Sequence, residues 1–316
     1  MQAKRKLGRT DIAITPLMLG GNVFGWTADE AASFAVLDAF VDAGGDAIDT
    51  ADVYSAWVPG HQGGESESVI GRWLKASGKR NKVVIGTKVG MWPKQLGIKR
   101  ENILEACDGS LKRLGVDAID LYWLHRDDEA TDAEEYIDAL DRLVKAGKVR
   151  AVGASNFKPG RFAEGLKESD RSGKARFSAQ QPEYHLLNRE IEAELMPLCV
   201  REQVSLAPYY GLASGYLTGK YRSEADKAKS PRGARMDKYM QGAGPAVLAA
   251  LDAVGARYDA TPAQVALAWI MAKPAIAAPI ASATNVDQVQ ELMGALRVNL
   301  SAADMAELDA ASSAPR

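Results

Sequence analysis

Eight short apolar runs, separated by helix-length amphipathic segments, constrain this chain more than any other feature. The runs read LMLGG, DAIDT, KVVIGTK, IDLYWLH, RAVGASN, SAQQPE, VSLAPYY and IAAPIA. A strand cannot reach a parallel neighbour through a tight turn; it needs a crossover of a dozen or more residues, usually a helix. Eight such units without a change of composition predict a closed (β/α)8 TIM barrel of the α/β class, a single domain over 1–316. A hairpin precedes them: KRKL, a turn at Gly8-Arg9-Thr10-Asp11, then IAIT. Thr27-Ala-Asp-Glu30 and Thr131-Asp-Ala-Glu134 read as capping boxes, and Thr261-Pro262-Ala-Gln264 adds proline at the first helical position. Gly44, Gly78 and Gly147 fall where helix C-caps belong.

Strand-end spacing supports the same layout. Asp49 to Lys88 is 39 residues and Lys88 to His125 is 37, but Pro208 to Ile280 is 72. The seventh unit therefore carries a long loop, from about Gly211 to Gly244, holding Lys220, Lys227, Lys229, Arg232 and Arg235. A basic, glycine-bearing loop of that length suits either a fold-over cover for an anionic ligand or a surface excursion.

Composition narrows the partners. A net charge of -2 and a pI near 6.0 give no electrostatic reason to expect nucleic acid or an anionic membrane. Cys107 and Cys199 are too few for a disulfide framework or a zinc cluster, so no metal is expected. No apolar run approaches about 18 residues, and MQAKRKLGRT lacks the apolar core of a signal peptide. The expected setting is soluble, reducing and cytoplasmic. No stripe on the helices fixes an oligomeric state.

Function is carried by four side chains at or just beyond the ends of three consecutive strands: Asp49, Tyr54, Lys88 and His125. In a parallel barrel these ends share one face. Each has an ordinary reading: Asp49 as a turn cap, Lys88 and Asp49 as a structural ion pair, Tyr54 as a core-edge tyrosine, His125 as a satisfied polar residue. Together they form a proton-transfer set. An ammonium beside a phenol favours the phenolate, which predicts a lowered Tyr54 pKa. An imidazole within reach can relay a proton or orient a substrate oxygen. Such a phenol suits carbonyl reduction with hydride from a cofactor. No G-x-G-x-x-G or G-x-x-x-x-G-K-[ST] loop is present, so a nicotinamide would bind by another route. Ser155, Asn156, Gln181 and Tyr209 supply a hydroxyl, two amides and an aromatic face for it. Trp26, Trp57 and Trp92 fall in the first three βα loops, either walling a pocket for aromatic or apolar aldehydes or packing the loops together. A rival chemistry is a Schiff-base lyase with Lys88 as nucleophile.

The chain resembles the aldo-keto reductase family over nearly its full length. The matching segments are GGDAIDTADVYS, GGESESVIGRWL, VVIGTKVG, IDLYWLHRDD, VRAVGASNF, QQPEYHLLNRE, YYGLASGYLTGKY and SATNVDQVQEL. It is most similar to the aryl-alcohol-dehydrogenase-like and potassium-channel-β-like branches. The resemblance implies NADP(H)-dependent reduction of a small-molecule carbonyl, with Tyr54 as general acid, Lys88 and Asp49 tuning it, and His125 orienting the carbonyl. It implies that Ser155, Asn156 and Gln181 hold the carboxamide and that Tyr209 stacks on the nicotinamide. Gly21 and Asn22 would lie near the reactive end. Leu212, Ser214 and Lys220 would line the pyrophosphate path, with Arg232 or Arg235 closing over it. Ser282, Thr284, Gln288 and Glu291 match the adenosine-end motif. Three departures stand out. Tyr209-Tyr210-Gly211-Leu212 replaces the family's Tyr-Ser-Pro-Leu, Leu292 replaces an adenine-contacting asparagine, and 282–291 contains no lysine or arginine. The last leaves NAD open beside NADP. The channel branch also allows a cofactor-sensing binding module.

Overall fold

The structure is a computed structural model that describes residues 2–229 and 233–313. The chain enters through an antiparallel hairpin, β1 (Arg5–Lys6) and β2 (Ala13–Ile14), with Arg5 opposite Ile14. β3 (Met18–Gly20), β4 (Ala47–Asp49) and β5 (Val84–Val89) follow. A small hairpin, β6 (Met91–Trp92) and β7 (Gln95–Leu96), stands on the loop after β5. Then come β8 (Ile119–Leu124), β9 (Val149–Ser155), β10 (Phe177–Gln181), β11 (Ser205–Leu206) and β12 (Ile280–Ala281).

Among the described residues eight strands form one parallel sheet, in the order β11-β10-β9-β8-β5-β4-β3-β12. The segment 275–281 bridges its two ends. Leu206 donates to Ala275 O at 2.7 Å, Ala277 donates back to Leu206 O at 2.8 Å, and Ile280 donates to Pro208 O at 2.8 Å. Met18 completes the seam by donating to Pro279 O at 3.0 Å. The sheet curls into the (β/α)8 barrel expected from the sequence, with the hairpin beneath it.

Two apolar layers account for this shape. The outer layer packs strand residues such as Ile48, Ile85, Tyr122 and Val152 against the surrounding helices. The inner layer sets Trp123 among small side chains, Ala47, Ala151, Ala179, Ala207 and Ala277, with Leu7, Ile12 and Ile14 of the hairpin. Parallel strands buried on both faces read as continuous apolar runs, which is why the eight runs were legible. Gly153 makes room for the indole: a Cβ there would stand 2.4 Å from Trp123 Cε3.

Helix punctuation held in part. The Thr261 box forms, with Gln264 N–H donating to Thr261 Oγ1 and Thr261 N–H donating to Gln264 Oε1. The Thr27 box does not. Residues 23–28 make a tight turn in which Ala28 O accepts from Gly25, so the helix Glu30–Asp42 starts later and is capped by Asp29. The Thr131 hydroxyl donates to Asp128 Oδ2 instead, leaving Asp132 as N-cap of the helix Ala133–Lys145. In both cases a preceding turn takes the threonine before the helix begins.

The long loop after β11 is built of short turns, Ala213–Thr218, Glu224–Lys229 and Gly233–Arg235, and a short helix Asp237–Met240. It is anchored rather than free-standing. Tyr216 and Tyr239 are buried and stack at 5.7 Å, and Tyr239 meets the His185 ring edge-on at 5.8 Å. The helices Gly244–Tyr258 and Pro262–Met271 lead back to β12.

Candidate active site

Asp49 ends β4, Lys88 lies near the end of β5, and His125 follows β8, so register alone brings them to one rim. Tyr54 reaches the same point from the turn after β4. Lys88 Nζ donates to Asp49 Oδ2 at 2.5 Å, to Thr50 O at 2.8 Å and to Tyr54 Oη at 2.8 Å. All three ammonium hydrogens are therefore engaged. The Tyr54 hydroxyl lies 3.5 Å from Asp49 Oδ2, and its ring meets His125 edge-on at 6.0 Å.

Burial dominates the electrostatics. It pushes the Asp49 carboxyl up and the Lys88 ammonium down, while their contact opposes both shifts. Burial, with Asp49 adding to it, also drives the Tyr54 phenol well above its usual 10.0. This reverses the sequence expectation of a lowered phenol pKa, because loss of hydration and a neighbouring carboxylate both penalise a phenolate. Tyr54 is held protonated. His125 is held well below its usual 6.5, first by burial, then by Lys88 and Arg126, so its imidazole is neutral at neutral pH. Its Nδ1 is buried and has no hydrogen-bond partner among the described residues.

The amides expected to hold a nicotinamide lie beside this group. Gln181 Nε2 donates to Asp49 Oδ1 at 3.0 Å, while its Oε1 accepts from no described residue. Ser155 Oγ donates to Gln181 O at 2.9 Å and accepts from Asn156 Nδ2 at 3.0 Å. Asn156 Nδ2 also donates to His125 O, and Tyr209 Oη donates to Asn156 Oδ1 at 2.8 Å. An open amide acceptor next to an aromatic face fits a carboxamide-bearing ring. Gly21 is needed for packing, since a Cβ there would stand 2.9 Å from Ser66 Oγ and 3.1 Å from Asp49 O.

At the far end Ser282 Oγ donates to Asn22 Oδ1 at 2.5 Å, and Gln288 Oε1 accepts from both the Thr284 N–H and hydroxyl. They stand at the start of the helix Val286–Gly294, whose N-cap Asn285 accepts from Gln288 N–H. Helix N-terminal amides and hydroxyls of this kind suit phosphate. Glu291 O accepts from Gln264, and Leu292 turns into the core, which explains the leucine at that position by packing. Leu212 precedes the turn Ala213–Thr218, in which Ser214 is buried and lies in the left-handed region at φ 58. Lys220 sits with its Nζ 5.1 Å from the Tyr221 ring centre. Arg232 lies outside the described residues, as does the Arg235 side chain.

The tryptophans divide. Trp57, 49% exposed, meets Trp26 edge-on at 5.6 Å and Tyr54 at 6.1 Å. Trp92 takes other partners: its indole N–H donates to Gln62 O, and the Arg113 guanidinium lies 5.4 Å from its ring centre. A groove of about 840 Å³ opens elsewhere, at the amino-terminal ends of the strands, lined by Lys4, Asp46, Arg80, Asp120 and Arg150. Asp49, Tyr54, Lys88 and His125 converge on the opposite rim. Sequence reading missed the layer beneath that rim. There Thr87 donates to Glu67 Oε1 at 2.5 Å, Arg113 donates to Glu67 Oε2 at 2.6 Å, and Asp52 lies fully buried. The one signal was an acid two residues before Tyr54.

Fold and rim define a barrel with a buried acid–amine–phenol contact beside a neutral imidazole. Residues 16–313 match the family model for the aldo/keto reductase family. The chain belongs to that family, and membership supports an oxidoreductase. Among its relatives, "Aldo-keto reductase yakc [NADP(+)]" of Schizosaccharomyces pombe is 32% identical, covering 96% of this chain and 89% of the relative. A "Probable voltage-gated potassium channel subunit beta" of Oryza sativa is 31% identical over 93% and 91%. "Aryl-alcohol dehydrogenase GME11368" of Pestalotiopsis microspora is 28% identical over 94% and 79%. Among the described residues no helix is long and apolar enough to cross a membrane.

Proposed function

We propose that this chain reduces aldehydes or ketones to alcohols with NADP(H), using Tyr54 as general acid. The observation that carries the reading is the Tyr54 hydroxyl, held 2.8 Å from Lys88 Nζ beside the His125 ring. The nicotinamide, when bound, supplies the hydride. Ser155, Asn156 and Gln181 would hold its carboxamide and Tyr209 its ring; Ser282, Thr284 and Gln288 would hold the adenosine end.

The protein's own groups divide the remaining work. A substrate carbonyl oxygen takes a hydrogen bond from Tyr54 Oη and a second from His125 in the tautomer with its proton on Nε2. As charge grows on that oxygen, the phenol releases its proton to it. The neighbouring Lys88 ammonium stabilises the phenolate left behind, and Asp49 keeps Lys88 in place and charged. A phenol with a raised pKa in the resting site keeps its proton until the developing alkoxide, a far stronger base, arrives.

Trp26 and Trp57 beside Tyr54 favour an aromatic or apolar aldehyde. The lyase alternative fits poorly, because a nucleophilic Lys88 would have to be neutral and break three hydrogen bonds. NADP is favoured by the cofactor in the S. pombe relative's name and by the hydroxyl and helix N-terminus at 282–286. A panel of aromatic and aliphatic carbonyls, assayed with NADPH and NADH side by side, tests the reading. The expected result is turnover with NADPH, fastest for aromatic aldehydes. Cofactor binding with no turnover of any carbonyl would favour the binding module instead.

A further inference from the structure

Beneath the catalytic contact lies a carboxyl that the proposed mechanism leaves unused. Asp52 is fully buried, and among the described residues neither of its carboxyl oxygens has a hydrogen-bond partner. Buried carboxylates are normally paired or hydrogen-bonded, because an isolated one loses its hydration without compensation. The charged groups facing Asp52 come from three elements. Glu67 lies on the helix Glu65–Ser77, Arg113 on the helix Arg100–Leu114 and Lys88 on β5. The Tyr122 phenol on β8 also feels its charge, and Cys107 lies within range of Glu67.

The cations are already engaged. Arg113 contacts Glu67 at 2.6 Å, and Lys88 is shared among Asp49, Thr50 and Tyr54. Asp49 with Lys88 and Glu67 with Arg113 make two neutral pairs. An ionised Asp52 would leave the buried cluster with an uncompensated negative charge; a protonated Asp52 leaves it neutral.

We infer that Asp52 is a positioning residue that holds a proton behind Lys88, and that losing this proton weakens Tyr54 as an acid by offsetting the field of the Lys88 ammonium. The inference rests on the reductase reading of the site. Burial first, then Glu67, pushes the Asp52 carboxyl up to about 8, against opposition from Arg113 and, less, from Lys88. Below that pH the ammonium acts on the phenol without a competing charge beneath it. Above it, one proton has left Asp52 for solvent, and the new carboxylate makes the phenolate harder to form.

The same proton has a consequence for stability that does not depend on turnover. The folded protein holds it up to pH about 8, whereas the unfolded chain releases it near 3.8. The native state therefore loses stability as pH rises between those values and none beyond them. The neutral isostere Asp52→Asn lacks that loss.

The test compares wild type, D52N and D52E, following kcat for benzaldehyde reduction with NADPH, and Tm, across pH. The expected wild-type kcat falls through a limb near pH 8. That limb is absent from D52N and returns, displaced, in D52E. The D52N Tm rises relative to wild type between pH 4 and 8 and stays level above. A D52N profile that keeps the wild-type limb overturns the positioning role. A Tm difference that does not change with pH overturns the held proton. Wild type with the Tm signature but no carbonyl turnover keeps the buried proton and removes both the positioning role and the reductase reading. If D52N fails to fold, isotope-edited infrared spectra of wild type and D52E decide. An Asp52 carboxyl already ionised at pH 6 ends the proposal.

Discussion

Tyr54 is where residue chemistry is most sharply defined. Its phenol is half-buried, protonated and 2.8 Å from a buried ammonium, so Tyr54→Phe removes the proposed proton donor while leaving almost the same volume. Turnover should fall by roughly 100- to 10,000-fold, the usual contribution of a positioned acid, with little change in NADPH affinity. Steady-state kinetics with fluorescence titration of the cofactor checks both. An unchanged rate would exclude Tyr54 as the acid. Asp49, Lys88 and His125 were legible because strand ends in a parallel barrel share a face, whatever the loops between them do. The Tyr54 pKa was not legible. Its sign is set by desolvation and by the distance to Asp49, and neither is a property of the residue type.

Among the elements, the helix Pro262–Met271 shows how much a local signal can fix. Its capping box forms as written in the sequence, and Gln264 also donates to Glu291 O, tying this helix to the one at the predicted adenosine end. Thr261→Ala should cost about 1 kcal/mol of stability, measured by urea unfolding, as for other N-cap threonines. No loss would mean that the box adds nothing to a helix already buried along its length. The boxes at Thr27 and Thr131 had the same pattern and failed, because turns closed by Ala28 O and by Asp128 claim those residues first. A capping pattern carries no information about the turn before it. Trp92 is a similar case: its place in the third βα loop was legible, but its engagement by Gln62 and Arg113 depends on how the β6–β7 hairpin folds back.

For the whole molecule, closure depends on filling the barrel. One indole, Trp123, occupies an interior lined by alanines and a few aliphatic side chains, Met18 and Leu121 among them, and Gly153 gives it space. Gly153→Ala places a methyl group 2.4 Å from that ring and 2.9 Å from Ala179 O, so the indole or the β9–β10 backbone must shift. The expected loss is about 1–3 kcal/mol, with a lower urea midpoint. Wild-type stability in the variant would show that the interior is looser than its contacts imply. The sequence by itself determined the alternation of strand and helix, hence the parallel barrel, and placed Asp49, Tyr54, Lys88 and His125 on one rim. These follow from periodicity and chain direction, which are local properties. Only the tertiary structure decided which cation serves which acid, why Asp52 is left without one, and which way the buried groups titrate. Those depend on distances between residues far apart in the chain and on exclusion of water, and neither exists until the barrel has closed.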